Sequence, residues 1–176
     1  QGNAKGEYAL AILYLQGQGV PQDAQQAVFW LKKSGEAGFP QAYYQLGVMF
    51  GSGKGVPKDP QQARFWYEKA AEHAGYNEAH LQYFVATEYE QGKEIQRDEK
   101  RAVYWLEKSA GQGFPSAQSS LARRYEAGEG VAQDFVEAHK WLNLARSNGD
   151  PEAKIFLPFL ERRMTRQQIA EAQRRA

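Results

Sequence analysis

"GQGVPQD", residues Gly17–Asp23, reads at first sight as a glycine-rich loop of the kind that cradles phosphate. The rest of the chain decides otherwise, because the stretch returns. It recurs as "GKGVPKD" at Gly53, "GKEIQRD" at Gly92 and "GEGVAQD" at Gly128, at steps of 36, 39 and 36 residues. Trp30, Trp66, Trp105 and Trp141 keep the same steps. So do Ala27, Ala63, Ala102 and Ala138, and the aromatic series Tyr14, Phe50, Tyr89 and Tyr125. A phosphate loop is made once per site. Four copies with their landmarks in one register are architecture, and a period of this length marks a repeat protein.

The chemistry of the stretch explains its use. Ala42, Leu46, Gly47 and Phe50 carry helical spacing just before the second copy. Gly53 stands where that helix ends, because glycine tolerates the left-handed conformation required there. Val56 is the apolar residue of the loop and plugs back between helices. Asp59 is an N-cap for the next helix, and Pro60 occupies its first position, where the missing N–H costs nothing. Gln26, Gln62 and Glu137 lie three residues after their Asp, the spacing of a capping box. In the third copy Glu94 replaces the second glycine and Arg101 takes the box position, so this turn should be the least regular.

A second junction repeats as "AGFPQA" at 37–42, "QGFPSA" at 112–117 and "NGDPEA" at 148–153, while "HAGYNEA" at 73–79 lacks the proline. The three extra residues of the long step fall between Ala70 and Tyr89, lengthening this junction or the helix after it. Each unit is a helix, a loop and a helix. Such a pair cannot bury its own apolar face, so stacked neighbours must supply the core.

These features carry a resemblance. The unit "AYYQLGVMFGSGKGVPKDPQQARFWYEKAAEHAG" resembles the Sel-one-like repeat of the tetratricopeptide-like superfamily, through Leu46, Gly47 and Phe50, the loop, Ala63, Trp66, Tyr67, Lys69 and Ala70–Ala71. The resemblance implies an all-α fold, a right-handed α-α superhelix of four helix-loop-helix repeats with first helices lining a concave groove. It also implies a bacterial adaptor or scaffold for protein–protein interaction. The repeats fall at about 3–38, 39–75, 76–113 and 114–149, together residues 1–149. Residues 150–176 then read as C-terminal capping helices. Pro158 should kink or split the first of these. Thr165 with Gln168 forms a capping box, and Met164 with Ile169 a hydrophobic staple, at the start of the last. The arginine-rich segment from Glu161 is a solvated cap face or a docking site for an acidic partner or lipid headgroups.

Composition narrows function. The net charge of the 176 residues is +1, which makes no case for nucleic acid. No apolar run approaches the roughly 20 residues of a membrane span. Cysteine is absent, so thiolate catalysis and disulfides are excluded. The opening "QGNAKGEYAL" reads as an internal start, consistent with a removed leader. Periplasmic or exported placement follows from the resemblance, with the cytoplasm as the alternative. The three histidines, His73, His80 and His139, form no metal or catalytic motif, and neither a cofactor nor an enzymatic activity is expected.

A helical wheel locates the partner surface. With the core of the second first-helix set by Ala42, Leu46, Gly47 and Phe50, Tyr44 turns about 135° away and Gln45 and Val48 lie on the far side. Moving by the repeat steps gives Tyr8 and Ile12 in the first unit and His80, Tyr83, Phe84 and Thr87 in the third. The fourth supplies Ser116, Ser119, Ser120 and Arg123. A row of tyrosines and aliphatics without core duty anchors interfaces. The candidate partner-binding residues are therefore Tyr8, Ile12, Tyr44, Gln45, Val48, His80, Tyr83, Thr87 and Arg123, for a protein or peptide partner. The alternatives are a peptidoglycan or glycan-binding module, with tyrosines stacked on sugar rings, and a structural homo-oligomer.

Overall fold

The computed structural model describes residues 3–75 and 78–175, which form ten helices and no strand. In chain order they are α1 (Ala4–Gln16), α2 (Ala24–Glu36), α3 (Pro40–Ser52), α4 (Pro60–His73), α5 (Ala79–Gln91), α6 (Glu99–Gly111), α7 (Pro115–Ala127), α8 (Phe135–Ser147), α9 (Pro151–Glu161) and α10 (Arg166–Arg175). The helices group into two compact units, Gln1–Gly75 with Gln91–Arg97, and Tyr76–Glu90 with Asp98–Ala176.

Local signals set the helix ends. Gly17, Gly53 and Gly128 close α1, α3 and α7 in the left-handed conformation, Gly53 at φ 72° and ψ 22°. Asp23, Asp59 and Asp134 each accept from two amides at the start of α2, α4 and α8. The reciprocal half of the capping box is not made. Each Asp N–H donates instead to the carbonyl of the aromatic landmark before the loop: Asp23 to Tyr14 (3.0 Å), Asp59 to Phe50 (2.8 Å), Asp98 to Tyr89 (3.1 Å) and Asp134 to Tyr125 (2.9 Å). That bond closes the loop and ties two helices, which a box within one helix cannot do.

The third loop does depart. Gly19, Gly55 and Gly130 adopt φ 73°, 78° and 74°, whereas no described non-glycine residue has positive φ, so Glu94 turns the chain differently. Its carboxylate accepts the Tyr67 hydroxyl, and Asp98 accepts from one amide, that of Arg101. The insertion lengthens the junction, not the following helix. α4 has 14 residues against 13 in α2, and α5 keeps 13. Tyr76 and Asn77 of that junction lie outside the described residues.

In the first unit α1 packs on α2, α2 on α3 and α3 on α4. Ala11, Leu31, Leu46, Met49 and Trp66 form its core, with Val56 of the loop packed against it. Gly47 is required by close approach: a Cβ there would lie 2.5 Å from the ring of Tyr67, itself fully buried. In the second unit α6 packs on α7, α7 on α8, and both α9 and α10 on α8. Ala138, Leu142, Ala153, Leu157 and Leu160 make a core joined by Trp141 and Met164. α9 runs unbroken through Pro158. The carbonyl this proline leaves without a helical partner belongs to Lys154, and both residues are on the exposed side of the helix. The second capping box forms as read: Thr165 N–H donates to Gln168 Oε1 (2.8 Å) and Gln168 N–H to Thr165 Oγ1 (3.2 Å).

Candidate partner-binding faces

In the first unit three of the expected residues converge. Ile12 of α1 and Gln45 and Val48 of α3 line one hollow of about 260 Å³ with Leu15, Met49 and the loop residues Lys54 and Gly55. Gln16, Gln22 and Ser52 are also on its wall. Its surface is thus aliphatic with amide, hydroxyl and ammonium groups beside it, a chemistry suited to an apolar side chain carried on a hydrogen-bonding backbone.

Tyr8 and Tyr44 lie elsewhere. Tyr8 is half-buried, edge-on to Phe39 at 5.1 Å, and burial raises its phenol above the usual range. Tyr44 is half-buried against Tyr67 at 5.2 Å and packs on the core. The wheel placed it on a face with no core duty; the neighbouring helix α4 supplies the duty by bringing Tyr67 across Gly47.

In the second unit Tyr83 and Arg123 share a polar hollow of about 220 Å³ with Ser116, Asp150 and Glu152. Tyr83 leans on Phe114 (5.3 Å), and Arg123 reaches Glu152 (3.2 Å) and covers the Phe156 ring (5.4 Å). His80 and Thr87 stand outside this hollow. His80 meets Phe84 edge-on at 5.8 Å, and the Thr87 hydroxyl donates to the Phe84 carbonyl (2.7 Å). Ser119, expected to face outward, is buried, so the outward arc of α7 is narrower than the wheel drew it.

The other polar clusters serve structure. His139 is 1% exposed, with Nε2 against Glu161 (2.9 Å) and Nδ1 against Asn143 (2.9 Å), which ties the end of α9 to α8. His73 bonds the Lys69 carbonyl. Arg124 pairs with Glu90 at 2.7 Å. Much of the arginine-rich end is engaged: Arg163 with Glu126, and Arg174 and Arg175 with Glu171, whose carboxyl they hold below the usual range. Among the described residues no group of acidic, histidine or cysteine side chains could hold a metal, and no helix is long and apolar enough to cross a membrane.

Two exposed sets escaped the wheel. Phe29, Phe65 and Tyr104 immediately precede Trp30, Trp66 and Trp105, about half exposed and edge-on to them at 5.2, 4.8 and 4.8 Å. Lys33, Lys69 and Lys108 cover their outer rings. The signal was legible as "FWLKK", "FWYEK" and "YWLEK" at the repeat step. The second set is Ile155 and Phe159 on α9. They hold the register of Tyr83 and Thr87, one repeat step beyond the fourth first helix.

Comparison with known proteins follows the same register. The Sel1 repeat pattern matches residues 4–39, 40–74, 79–114 and 115–150. No curated protein matches the chain. The crystal structure of a Sel1 repeat protein from Oxalobacter formigenes is similar at 34% identity and TM-score 0.71, covering 91% of this chain and 46% of that one. A protective antigen of uropathogenic Escherichia coli, c5321, displaying an SLR fold, is 26% identical at TM-score 0.54 over 98% of this chain and 44% of its own. Helicobacter pylori cysteine rich protein B is 26% identical at TM-score 0.51, over 72% and 94%. This chain therefore spans less than half the length of the first two. Sel1 repeat proteins generally serve as protein-interaction scaffolds. With its four matched repeats and its all-α repeat-superhelix fold class, the chain belongs to the Sel1 repeat family.

Proposed function

We propose that the chain is a non-catalytic adaptor that captures a protein or peptide on the first-helix faces of its repeats. The observation that carries this reading is the hollow of the first unit, where Ile12, Gln45 and Val48 meet. An aliphatic side chain entering it exchanges water for Ile12, Leu15 and Met49. Gln16 and Gln45 offer amides to the backbone that carries that side chain, while Gln22 is held in the wall by its own bond to the Leu15 carbonyl (2.8 Å). The polar hollow around Tyr83 and Arg123 in the second unit, with the Ser116 hydroxyl and the Asp150 and Glu152 carboxylates on its wall, suits a different element of partner chemistry, a hydroxyl or amide donor.

The test is affinity capture from the source organism, then calorimetry on the captured protein with Ile12→Arg and Val48→Arg. Each arginine fills the hollow and sets a charge on its aliphatic wall. Loss of about 2 kcal/mol, roughly 30-fold in Kd, with an unchanged urea midpoint is expected if these residues are anchors. Wild-type affinity in both variants refutes the face. Binding to isolated cell wall, with no protein captured, favours the glycan-binding alternative instead.

A further inference from the structure

Ile155 and Phe159 are the most exposed large apolar side chains among the described residues, at 61% and 58%. In the same register on α5, Tyr83 is covered by Phe114 from the turn entering α7. After α9 the described chain turns into α10, which packs on α8, and the α9 stripe stays open.

The stripe has polar ends. Glu152, Ile155, Phe159 and Arg162 are spaced by three, four and three residues, which places them within an arc of about 80° on one helix face. All four are exposed. Glu152 meets Arg123 at 3.2 Å in a pair open to solvent, so its carboxylate keeps acceptor capacity. Arg162 has no carboxylate partner among the described residues; its guanidinium rests over Phe159 at 5.6 Å. Read from either end, the stripe is charge, apolar, apolar, opposite charge. It is symmetric about Leu157, which is buried on the other side of the helix.

We infer that this face of α9 is a two-fold interface between copies of the chain. A two-fold axis at Leu157 lays two α9 helices antiparallel. Each Ile155 then meets the second copy's Phe159, and each Glu152 the second copy's Arg162. Self-complementarity of this kind selects the second copy over an unrelated helix, because both apolar contacts and both ion pairs are satisfied at once. α9 has 11 residues and is about 16 Å long, so the buried area is small and the dimer weak and concentration-dependent.

Sedimentation equilibrium from about 5 to about 500 μM, a range that brackets a weak dimer, tests this. Wild type is expected to shift from monomer to dimer across the range. Ile155→Ser/Phe159→Ser is expected to stay monomeric with an unchanged melting curve. Glu152→Arg alone sets arginine against arginine, and Arg162→Glu alone sets glutamate against glutamate, so each should self-associate at least about 10-fold more weakly. Mixed together, these two single variants should form a 1:1 dimer, since every end pair is again opposite in charge. Circular dichroism confirms that each variant is folded. A wild type monomeric throughout overturns the inference, as does a dimer indifferent to the serine variant. A mixture that fails to pair while both single variants are folded also overturns it, whether the true occupant is another helix or another protein.

Discussion

Glycine-to-alanine replacement inside a helix ordinarily stabilises by about 1 kcal/mol, because glycine has more backbone freedom to lose. Gly47→Ala should do the opposite. The added Cβ would lie 2.5 Å from Cδ1 and 2.6 Å from Cε1 of Tyr67, about 1 Å inside ordinary contact. The ring has nowhere to go: it is fully buried, Tyr44 presses on it, and its hydroxyl is held by Glu94. Overpacking of this kind costs about 1–3 kcal/mol, and a rigid aromatic belongs near the upper end. Subtracting the propensity gain leaves a net loss of about 2 kcal/mol. Gly111→Ala is the control, since a Cβ at that exposed end of α6 meets nothing within 4 Å; it should be neutral or stabilising by up to about 1 kcal/mol. Urea unfolding followed by tryptophan fluorescence reads both, because Trp66 lies in the same core cluster as Leu46 and Met49, and Trp105 is buried on the helix that Gly111 ends. Gly47→Ala/Tyr67→Leu should recover part of the loss, by opening the space the methyl needs. A Gly47→Ala midpoint at or above wild type would refute the close-approach reading of this position.

The same assay ranks the turn signals. Gly53→Val, at φ 72° with its Cβ 3.1 Å from Lys58 Cβ, should lose at least about 1–2 kcal/mol, while Asp59→Ala, which removes two amide caps, should lose about 1 kcal/mol; the reverse order would show that the cap governs the loop. Burial, and then the Glu107 carboxylate that accepts its hydroxyl at 3.2 Å, push the Tyr125 phenol up to about 12. Between pH 10 and 12 the unfolded chain has released this proton and the folded chain has not, so the stability from the shift is complete below pH 10 and falls as pH rises toward 12. Tyr125→Phe should lose less stability than wild type between pH 9.5 and 11.5, and parallel curves for the two proteins would contradict the coupling.

The features decided by a few neighbouring residues were legible in the sequence. The repeat step, the glycine that ends a first helix, the aspartate that caps a second helix and the proline at a first position each act within one or two turns of chain. The insertion was legible too, because a register shift is a count. The third loop announced itself by Glu94, since a residue with a Cβ avoids the left-handed turn its counterparts use.

What failed depended on a partner distant in sequence. The capping-box residues were spaced correctly, yet each Asp N–H found a landmark carbonyl nine residues back, which is nearby only once two helices are folded together. One helix's wheel could show that Tyr44 turns away from Leu46, and it could not show that α4 would bring Tyr67 to meet it. Ser119 was buried and Ile155 left exposed from the same repeat position, because exposure is set by the element packed alongside. Periodicity in the sequence determined the helices and their caps, since those energies are local. Only the tertiary structure decided which first-helix side chains stay uncovered, since that is settled by what the neighbouring helices pack against.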